Sequence, residues 1–572
     1  MSSGQRSLFS DLTRMVLRYW KSKEWVSAWI LMAITLGTFT YAPVLNGIMS
    51  QAPGKIINAS IAAHQSTHAR SLHAANLLSH WAMVLMLWLA LQTTGSYFGQ
   101  LLMIRWRKWL TFRFMKPYME NRKYLKLEHL PGMDNPDQRI QENINFLTQE
   151  AVNVPIVFLR SISYSCVYGR ILWDLRPVLF TDTVIYAVVI NILVFGLFGR
   201  FLSNLNFLQS RKEGNLRYNL IRVRDNAEGI AFYKGEGAEE TESNRYLQAA
   251  LDNQMRIIRW QDLFLAPFNM AVKYVPYVFA VLLLAPVILS GKEGVGNLLT
   301  GMNSILSFCG AINLMVAWLG NITALTAAAQ RLSQLWDAVN DVQASPDTPH
   351  IDFEIGDPVS VEKLTLFTPD YKRTLFENLK FTLEKGKRLL VVGPSGCGKS
   401  SLLRALAGIW DSGKGMIIQS QTQDSMFLPQ KAYMIEGTLR DQVVYPGSVE
   451  SHSDSAIATI LESVKLGHIL KREGGLDARE DFSMVLSPGE QQRIAFARLL
   501  AAAPKVAFLD EATSAVDLQT EQQLYQAALA KGITLLSVGH RPLLCAYHDQ
   551  VLEFNSDNTW RIIPSSEYKP EW

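Results

Sequence analysis

The sequence predicts an all-α membrane domain of six helices followed by an α/β P-loop ATPase domain. Three observations predict this fold class. Apolar segments long enough to cross a bilayer lie almost entirely before residue 330. From residue 352 onward short apolar strands alternate with helices, and the stretch 393–400 fits the phosphate-binding pattern G-x-x-x-x-G-K-[ST]. We therefore expect a membrane domain at 1–337, a linker at 338–351 and an ATPase domain at 352–572.

The composition agrees with a membrane-embedded half. Of the 572 residues, 48% are hydrophobic and only 19% are charged, a smaller charged share than soluble proteins usually have. The net charge of +4 is too small to indicate a nucleic-acid-binding protein, so no nucleic-acid partner is expected. The expected surroundings of the first half are the lipid bilayer.

Six apolar segments of the first half are candidate membrane helices. They cover approximately residues 25–48, 77–103, 152–173, 178–201, 264–289 and 298–326. Most of them reach the roughly 20 residues that a helix needs to cross a bilayer. Arg160 and Arg170 interrupt the third segment, for which a buried helix of a soluble domain is the alternative.

Basic residues are concentrated in the N-terminal stretch and after the second and fourth candidate helices. The connections at 49–76, 174–177 and 290–297 hold few of them. Because basic loops stay cytoplasmic, the N-terminus and the ATPase domain are predicted to be cytoplasmic. The two long basic connections are expected to be helical, since long structureless loops are uncommon.

Three basic residues, Arg160, Arg170 and Lys273, lie within or beside the candidate spans. A charge at this depth is costly and commonly faces a cavity, which these residues would make selective for anionic or polar solutes. The alternative is that they extend to the lipid headgroups or pair with an acid such as Asp182.

The stretch 393–400 follows apolar residues 389–392 and precedes a helical run, as a phosphate-binding loop requires. Its glycines let the backbone approach phosphates, and its N–H groups face the anion. Lys399 is expected to bridge the β- and γ-phosphates of ATP, and the Ser400 hydroxyl is expected to hold Mg²⁺. The predicted nucleotide-binding residues here are Gly393, Pro394, Ser395, Gly396, Cys397, Gly398, Lys399, Ser400 and Ser401.

A second apolar stretch, 506–509, ends in Asp510 and Glu511, the pattern of a Walker B strand. Asp510 is predicted to reach Mg²⁺, directly or through water. Glu511 is predicted to polarise the water that attacks the γ-phosphate. The alternative is a strand that ends in two solvated acids, but the upstream phosphate-binding loop favours the catalytic interpretation.

Between these motifs, Leu486-Ser-Pro-Gly-Glu-Gln-Gln-Arg-Ile-Ala-Phe-Ala-Arg498 resembles the signature motif of ATP-binding cassette (ABC) transporters. The usual family form is LSGGQ, which binds the γ-phosphate held by the opposite subunit. Ser487 and Gly489 are kept, and the resemblance implies that both contact ATP. Pro488 and Glu490 replace the usual glycine and glutamine, and Pro488 has no N–H to donate.

Further family elements stand at their expected places. Gln430 is similar to the Q-loop glutamine that senses Mg²⁺, Asp517 ends a segment similar to the D-loop, and His540 matches the switch histidine that contacts the γ-phosphate. The resemblance therefore implies Glu511, His540 and Gln430 as catalytic residues, Asp517 as an ATP contact, and Ser400, Gln430 and Asp510 as Mg²⁺ ligands.

The aromatic that stacks on adenine in this family has two candidates, Phe367 and Tyr371, and the sequence leaves both open. Either could instead be a core or surface aromatic.

The resemblance covers the whole chain, with the type IV, exporter-type order of one membrane domain before one cassette. More narrowly, the segments 134–140, 228–232, 427–446 and 486–498 look like subfamily D. That subfamily includes peroxisomal fatty-acyl transporters and bacterial relatives. Among the latter, the chain looks like the SbmA/BacA-like group and, within it, the YddA type. This implies a bacterial inner membrane, with a peroxisomal membrane as the alternative.

The resemblance implies an ATP hydrolase coupled to transport. One chain supplies one P-loop and one signature motif, whereas the family holds each ATP between two chains, so a homodimer with two equal sites is expected. A heterodimer stays open. ATP binding is expected to close the cassettes and hydrolysis to release them, switching which side of the membrane domain is open.

The transported solute is not encoded in these motifs. A peptide, cobalamin or an acyl compound stays open, as does the direction of transport. The alternative function is a membrane-anchored ATPase that acts as a sensor or signalling partner without transport.

Overall fold

The structure, a computed structural model, describes residues 8–61, 67–128, 135–194, 196, 200–290, 294–340, 349–555 and 557–569. The chain divides into two compact units, Met1–Val342 and Gln343–Trp572. Most of the predicted linker at 338–351 lies outside the described residues.

The described part of the first unit is entirely helical. Its helices are α1 (Leu8–Trp20), α2 (Trp25–Ile61), α3 (Thr67–Met119), α4 (Lys123–Glu128), α5 (Pro136–Gln138), α6 (Ile144–Leu175), α7 (Pro177–Val194), α8 (Arg200–Asp225), α9 (Ala227–Tyr233), α10 (Glu236–Ile258), α11 (Ala266–Leu289), α12 (Gly296–Ala317) and α13 (Leu319–Asn340). Wider π-helical turns at Arg139–Asn143 and Arg259–Leu265 precede α6 and α11.

Five helical stretches are long and apolar enough to cross a membrane. Among the described residues these are Trp25–Asn58, Ala75–Met119, Pro136–Leu175, Pro177–Val194 and Gly296–Asn340. They contain or overlap five of the six predicted segments. The remaining segment, 264–289, coincides largely with α11, in which the apolar stretch Tyr277–Pro286 was found.

The ends of the spans follow from local chemistry. Arg176 is extended, with φ −160° and ψ 125°, because a residue before proline disfavours the helical conformation. Helix α6 therefore ends at Leu175, and Pro177 opens α7. Glycines let α2 and α12 approach closely, since a Cβ on Gly296 would lie 1.9 Å from the carbonyl oxygen of Gly54.

The long connection after the fourth span is helical, as predicted. Helices α8 and α10 pack against each other, with a 2.8 Å hydrogen bond from Asn219 to Ser243 and an ion pair between Arg222 and Glu239. The segment 228–232 lies on α9, which joins them. Of the segment 134–140, residue 134 lies outside the described part of the chain.

The second unit is an α/β domain. Its strands are β1 (Asp352–Ile355), β2 (Val359–Phe367), β3 (Thr374–Leu383), β4 (Arg388–Val392), β5 (Gly413–Gln419), β6 (Ser425–Leu428), β7 (Val506–Asp510), β8 (Thr534–Val538), β9 (Gln550–Phe554) and β10 (Trp560–Pro564). Its helices are α14 (Lys399–Leu406), α15 (Leu439–Val444), α16 (Asp454–Ser463), α17 (Gly467–Arg472), α18 (Phe482–Val485), α19 (Pro488–Ala502) and α20 (Leu518–Ala530).

The strands form two sheets, one ordered β1-β5-β2-β3 and one ordered β10-β9-β4-β8-β7-β6. In the second sheet only β10 is antiparallel to its neighbour. Strands β4, β7 and β8 are almost wholly buried, which explains their continuous apolar sequences. Their carboxyl ends meet at one edge, where parallel sheets bind ligands.

Candidate nucleotide site

The phosphate-binding loop connects β4 to α14. Gly393, Gly396 and Gly398 have φ values of +146°, +81° and +104°, which side chains with a Cβ rarely adopt. A Cβ on Gly393 would also lie 2.7 Å from the carbonyl oxygen of Phe554. Lys399 is buried, and its ammonium donates to the carbonyls of Gly393 and Pro394 at 2.8 Å each. The Lys399 ammonium is thus held against the phosphate-binding loop, where it is predicted to bind the phosphates of ATP.

The two predicted Mg²⁺ ligands meet although they are far apart in sequence. The Ser400 hydroxyl donates to Asp510 Oδ1 at 3.1 Å, across the edge between α14 and β7. Burial raises the pKa of Asp510, an effect that the neighbouring Glu511 carboxylate reinforces and the Ser400 hydrogen bond opposes. Mg²⁺ binds through oxygen ligands, so the Ser400 hydroxyl beside the Asp510 carboxylate is a pair of ligands that fits this ion.

Glu511 is the centre of the predicted catalytic group. Its carboxylate accepts a 2.9 Å hydrogen bond from Gln430 Nε2 and lies 3.1 Å from His540 Nε2. Its φ of +46° is left-handed, an uncommon conformation for a residue other than glycine. The Glu511 N–H donates to the Val538 carbonyl at 3.0 Å, which ties the end of β7 to the strand that leads to His540. Such local backbone strain commonly marks functional positions.

The signature motif begins helix α19. Ser487 is the N-cap: its hydroxyl accepts from the Glu490 N–H, while the Glu490 carboxylate accepts from the Ser487 N–H at 2.9 Å. Pro488 occupies the first helical turn, where its missing N–H costs nothing to the helix. Both replacements of the usual motif therefore serve the start of this helix, Glu490 as part of a capping box and Pro488 as a proline in the first turn.

Glu490 is buried beneath the motif. It accepts a 2.9 Å hydrogen bond from Arg472 and lies 3.2 Å from His468 Nε2. Burial alone would raise the pKa of Glu490, but the Ser487 N–H, Arg472 and His468 outweigh it and lower the pKa to about 2. Gly489 has its own steric reason, since a Cβ there would lie 2.7 Å from the Ala515 carbonyl oxygen.

Asp517, predicted to contact ATP, is the N-cap of α20. Its carboxylate accepts from the Thr520 N–H at 2.9 Å, and the hydrogen bonds from Thr520 lower its pKa. The structure thus gives Asp517 a structural partner within its own chain, and its ATP contact stays a prediction.

Two residues that the sequence did not single out connect these segments. Buried Gln492 donates to the Gln430 carbonyl at 3.1 Å and to the Ser514 hydroxyl at 3.0 Å, and accepts from the Ala515 N–H at 2.9 Å. Arg541 donates to the carbonyls of Ser514 at 2.9 Å and Val516 at 2.8 Å. The only sequence signal for Gln492 is an amide on an otherwise apolar, buried helix face.

The structure locates most of the remaining candidate residues but does not assign a role to them. The rings of Phe367 and Tyr371 lie 6.0 Å apart, so the two adenine-stacking candidates are neighbours. Arg160 lies 5.9 Å over the Phe39 ring, and Arg170 pairs at 2.9 Å with exposed Asp174 rather than with Asp182. The side chain of Lys273 lies outside the described residues. The pathway role of these three cations stays a prediction.

Comparison with known proteins places this site in a family. The family described as ABC transporter transmembrane region 2 matches residues 12–289, and the family described as ABC transporter matches residues 376–514. An uncharacterized ABC transporter ATP-binding protein of Synechocystis sp. is 38% identical over 482 residues, covering 82% of this chain and 72% of that protein.

Two further similarities extend this result. The chloroplastic ABC transporter D family member 2 of Arabidopsis thaliana is 33% identical over 545 residues, covering 82% of this chain and 76% of its own. Among solved structures, a bacterial Atm1-family ABC exporter with ATP bound has a TM-score of 0.69 at 19% identity, covering 94% of this chain and 93% of its own. The structural likeness shows the fold, an exporter-type helical domain followed by a cassette.

Fold and site together define an ATP-binding ATPase coupled to transport, embedded in a membrane. The chain belongs to the ABC transporters, as a half-transporter like those of subfamily D. The predicted fold class is therefore confirmed, and the alternative of a sensor ATPase without transport is disfavoured. As a half-transporter with one cassette, the chain works with a partner chain.

Proposed function

We propose that two copies of this chain form the transporter and that each of its two ATP sites is built from both copies. The supporting observation is the way the signature motif is presented. Ser487 and Pro488 are exposed, although most of helix α19 behind them is buried. Within the described residues, the Ser487 side chain hydrogen-bonds only with Glu490 of its own helix. The motif is rigid and faces outward, as a surface that completes a site on another chain should be.

In each site, the P-loop copy binds the nucleotide. On ATP binding, Lys399 exchanges the carbonyls of Gly393 and Pro394 for phosphate oxygens. Ser400 and Asp510 would hold Mg²⁺, which neutralises charge on the β- and γ-phosphates. The second copy supplies the Ser487 hydroxyl and the Gly489 N–H as further donors to the γ-phosphate.

Hydrolysis depends on the group around Glu511. The Glu511 carboxylate orients and deprotonates the attacking water, while Gln430 and His540 fix that carboxylate from both sides. ATP binding closes the two cassettes and hydrolysis separates them, and this cycle drives alternating access of the membrane domain.

The finer assignments are also proposals. The SbmA/BacA-like group and a bacterial inner membrane rest on sequence likeness. The domain limits 1–337, 338–351 and 352–572 rest on the apolar segments of the first half and on the alternating strands and helices of the second. The cargo is proposed to be a peptide, cobalamin or an acyl anion. A human relative named lysosomal cobalamin transporter, 29% identical over 522 residues, makes cobalamin the first cargo to test. The measurement is ATP-dependent accumulation of each cargo in proteoliposomes.

The two-copy site is tested by complementation. Lys399→Ala removes the phosphate ligand, and Ser487→Asp keeps a good N-cap acceptor while placing a negative charge against the γ-phosphate. The two variants are co-expressed with different tags, and dimers that carry both tags are purified. Each mixed dimer then has one intact site and one doubly altered site.

We expect each variant alone to be inactive and the mixed dimers to hydrolyse ATP at about half the wild-type rate, if the two sites act independently. Ser487→Thr, which keeps both hydroxyl and cap, should remain active as the matched control. Inactive mixed dimers would contradict the proposal of two independent sites that are each built from both copies. Failure to recover any dimer carrying both tags would reject the homodimer itself.

A further inference from the structure

A basic cavity lies in the first unit, away from the nucleotide site. It has a volume of about 1170 Å³ and is bounded by helix α1, the turn at residues 21–24 and the last part of helix α3. Its charged lining consists of five basic side chains and one acidic one. The basic residues are Arg14, Arg18, Lys21, Lys23 and Arg113, and the acidic residue is Glu24. Nothing in the transport cycle described above uses this cavity.

The arginines of this basic cavity are held in place. Arg14 forms a 2.7 Å ion pair with Asp337. The guanidinium groups of Arg18 and Arg113 both lie over the Trp336 ring, at 4.9 and 5.2 Å from its centroid. A guanidinium has five N–H donors, so these contacts fix the groups without using all their hydrogen-bonding capacity.

Positive charge is crowded in the basic cavity. Burial, followed by the charges of Arg14 and Arg113, lowers the pKa of Arg18. Lys21 and Lys23 are exposed, and within the described residues neither has an ion-pair partner. Like charges assembled on a partly fixed frame repel one another, and a bound anion would relieve that repulsion.

The cavity adjoins the beginning of a helix that is long and apolar enough to cross a membrane. The first span begins at Trp25, directly after the turn, and the exposed side chains of Trp25 and Trp29 are typical of the interfacial aromatic belt. Trp109 and Arg113 follow the predicted apolar segment 77–103 on α3. Basic span ends face the cytoplasm, where the membrane leaflet carries anionic lipids.

Most apolar side chains of helix α1 pack against the protein. Met15 and Tyr19 are buried within the protein, and Tyr19 stacks on Trp106 with ring centroids 5.1 Å apart. The side of α1 that lines the cavity is mostly polar, with Thr13, Arg14 and Arg18 beside a single apolar residue, Leu17. This arrangement suits a charged headgroup rather than insertion of the helix among acyl chains.

We propose that this basic cavity binds the phosphate headgroup of an anionic phospholipid at the cytoplasmic surface. The guanidinium groups of Arg14, Arg18 and Arg113 donate hydrogen bonds to the phosphate from one side. Lys21 and Lys23 contact it from the turn. A soluble phosphate has the same recognition chemistry. The position of the cavity at the start of a span favours the lipid, whose acyl chains can remain in the bilayer.

The test uses the detergent-solubilised full-length protein titrated with dioleoylphosphatidylglycerol, dioleoylphosphatidylcholine or inorganic phosphate, with the melting temperature as readout. Phosphatidylglycerol should raise the melting temperature saturably, and the other two should not. The double variant Lys21→Gln/Lys23→Gln should need at least about tenfold more phosphatidylglycerol for half of the shift. Both lysines are exposed, so the variant should fold.

The matched control is Arg107→Gln/Lys108→Gln, which removes two exposed charges from the same part of α3 outside the cavity lining. It should leave the phosphatidylglycerol titration unchanged. An equal loss in both double variants would mean non-specific surface attraction and would overturn the proposal. A shift with inorganic phosphate that depends on the two lysines would assign the cavity to a soluble anion instead, and an unaltered titration of the lysine variant would also reject it.

Discussion

The phosphate-binding part and the signature part of the cassette treat their carboxylates in opposite ways. Asp510 and Glu511 lie side by side at the end of β7, and burial raises the pKa of Asp510. Glu490, in the signature part, is also removed from solvent, but the Ser487 N–H and Arg472 lower its pKa to about 2. In the first part burial dominates the pKa of a carboxylate, and in the second part hydrogen-bond donors dominate it.

This difference indicates a division of labour. Two adjacent carboxylates, one of them with a pKa raised by burial, gain from a divalent cation and a reacting water, so the phosphate-binding part is suited to binding and reaction. A satisfied, capped helix end gains little from local rearrangement, so the signature part is built to be presented unchanged to another chain. Three substitutions, taken from the largest expected effect to the smallest, test this division.

Glu511→Gln should have the largest effect. The amide keeps the size of the side chain but cannot accept a proton from the attacking water, so ATP hydrolysis should fall by a factor of about 10² to 10⁴. ATP should still bind through Lys399 and Ser400 and trap the closed dimer. Steady-state ATPase assays and nucleotide-binding titrations measure the two effects separately.

The matched control for that change is Glu384→Gln, on an exposed turn of the same domain, which should leave turnover intact. Near-normal hydrolysis in Glu511→Gln would reject the catalytic assignment. Loss of ATP binding together with hydrolysis would mean that Glu511 holds the loop rather than the water.

Gln492→Ala should have an intermediate effect, because this residue links the two parts within one chain. Its removal leaves the Gln430 carbonyl, the Ser514 hydroxyl and the Ala515 N–H without their partner. The three partners belong to exposed residues that water can reach, so each lost hydrogen bond should cost about 0.5–1.5 kcal/mol, and the cassette should unfold at a lower temperature. As Gln430 also contacts Glu511, we expect kcat to fall by about tenfold while KM for ATP changes little.

Gln523→Ala, on the exposed face of α20, is the control and should change neither quantity. If Gln492→Ala lowers the melting temperature but leaves kcat unchanged, Gln492 is only a packing residue, and the two parts of the cassette are more independent than the hydrogen bonds indicate.

The phosphate-binding part and the signature part of the cassette also differ in how many of their contacts the sequence could predict. Lys399 and Ser400 stand at fixed short spacing in a loop whose backbone geometry requires its glycines, so a pattern of eight residues predicted them. Ser400 and Asp510 were expected to meet because both were predicted to hold Mg²⁺, and they do so where parallel strands end at one edge of the sheet. For the phosphate-binding part, two short motifs were sufficient.

The contacts of the signature part were not predictable in the same way. The motif indicated a phosphate ligand at Ser487. The capping box that Ser487 forms with Glu490 was not predicted, because Glu490 was interpreted only as a replacement for the glutamine of LSGGQ. The links from Gln492 to Gln430 and Ser514 join residues that are remote in sequence, and no local periodicity encodes them. In the membrane unit, hydropathy located the spans but could not say that Arg170 pairs with Asp174.

Glu490→Gln should have the smallest effect, and it tests whether the signature part is complete without a nucleotide. Glutamine also suits the third position of a capping box, so the helix start should persist. The charge-assisted bond to Arg472 is lost, which should lower the free energy of unfolding by about 1–2 kcal/mol at neutral pH. Hydrolysis should remain near the wild-type rate, because Glu490 faces its own chain.

The pH dependence provides the decisive control for Glu490. Its pKa of about 2 in the folded chain lies below the ordinary value of 4.5, so the unfolded chain binds more protons between these pH values. The stabilisation is complete above about pH 4.5 and is lost as the pH falls towards 2. In denaturation measurements the wild type should lose this increment in acid and Glu490→Gln should not. Parallel acid curves for both proteins would mean that Glu490 is not held by its neighbours, and the signature part would then depend on the second copy for its order.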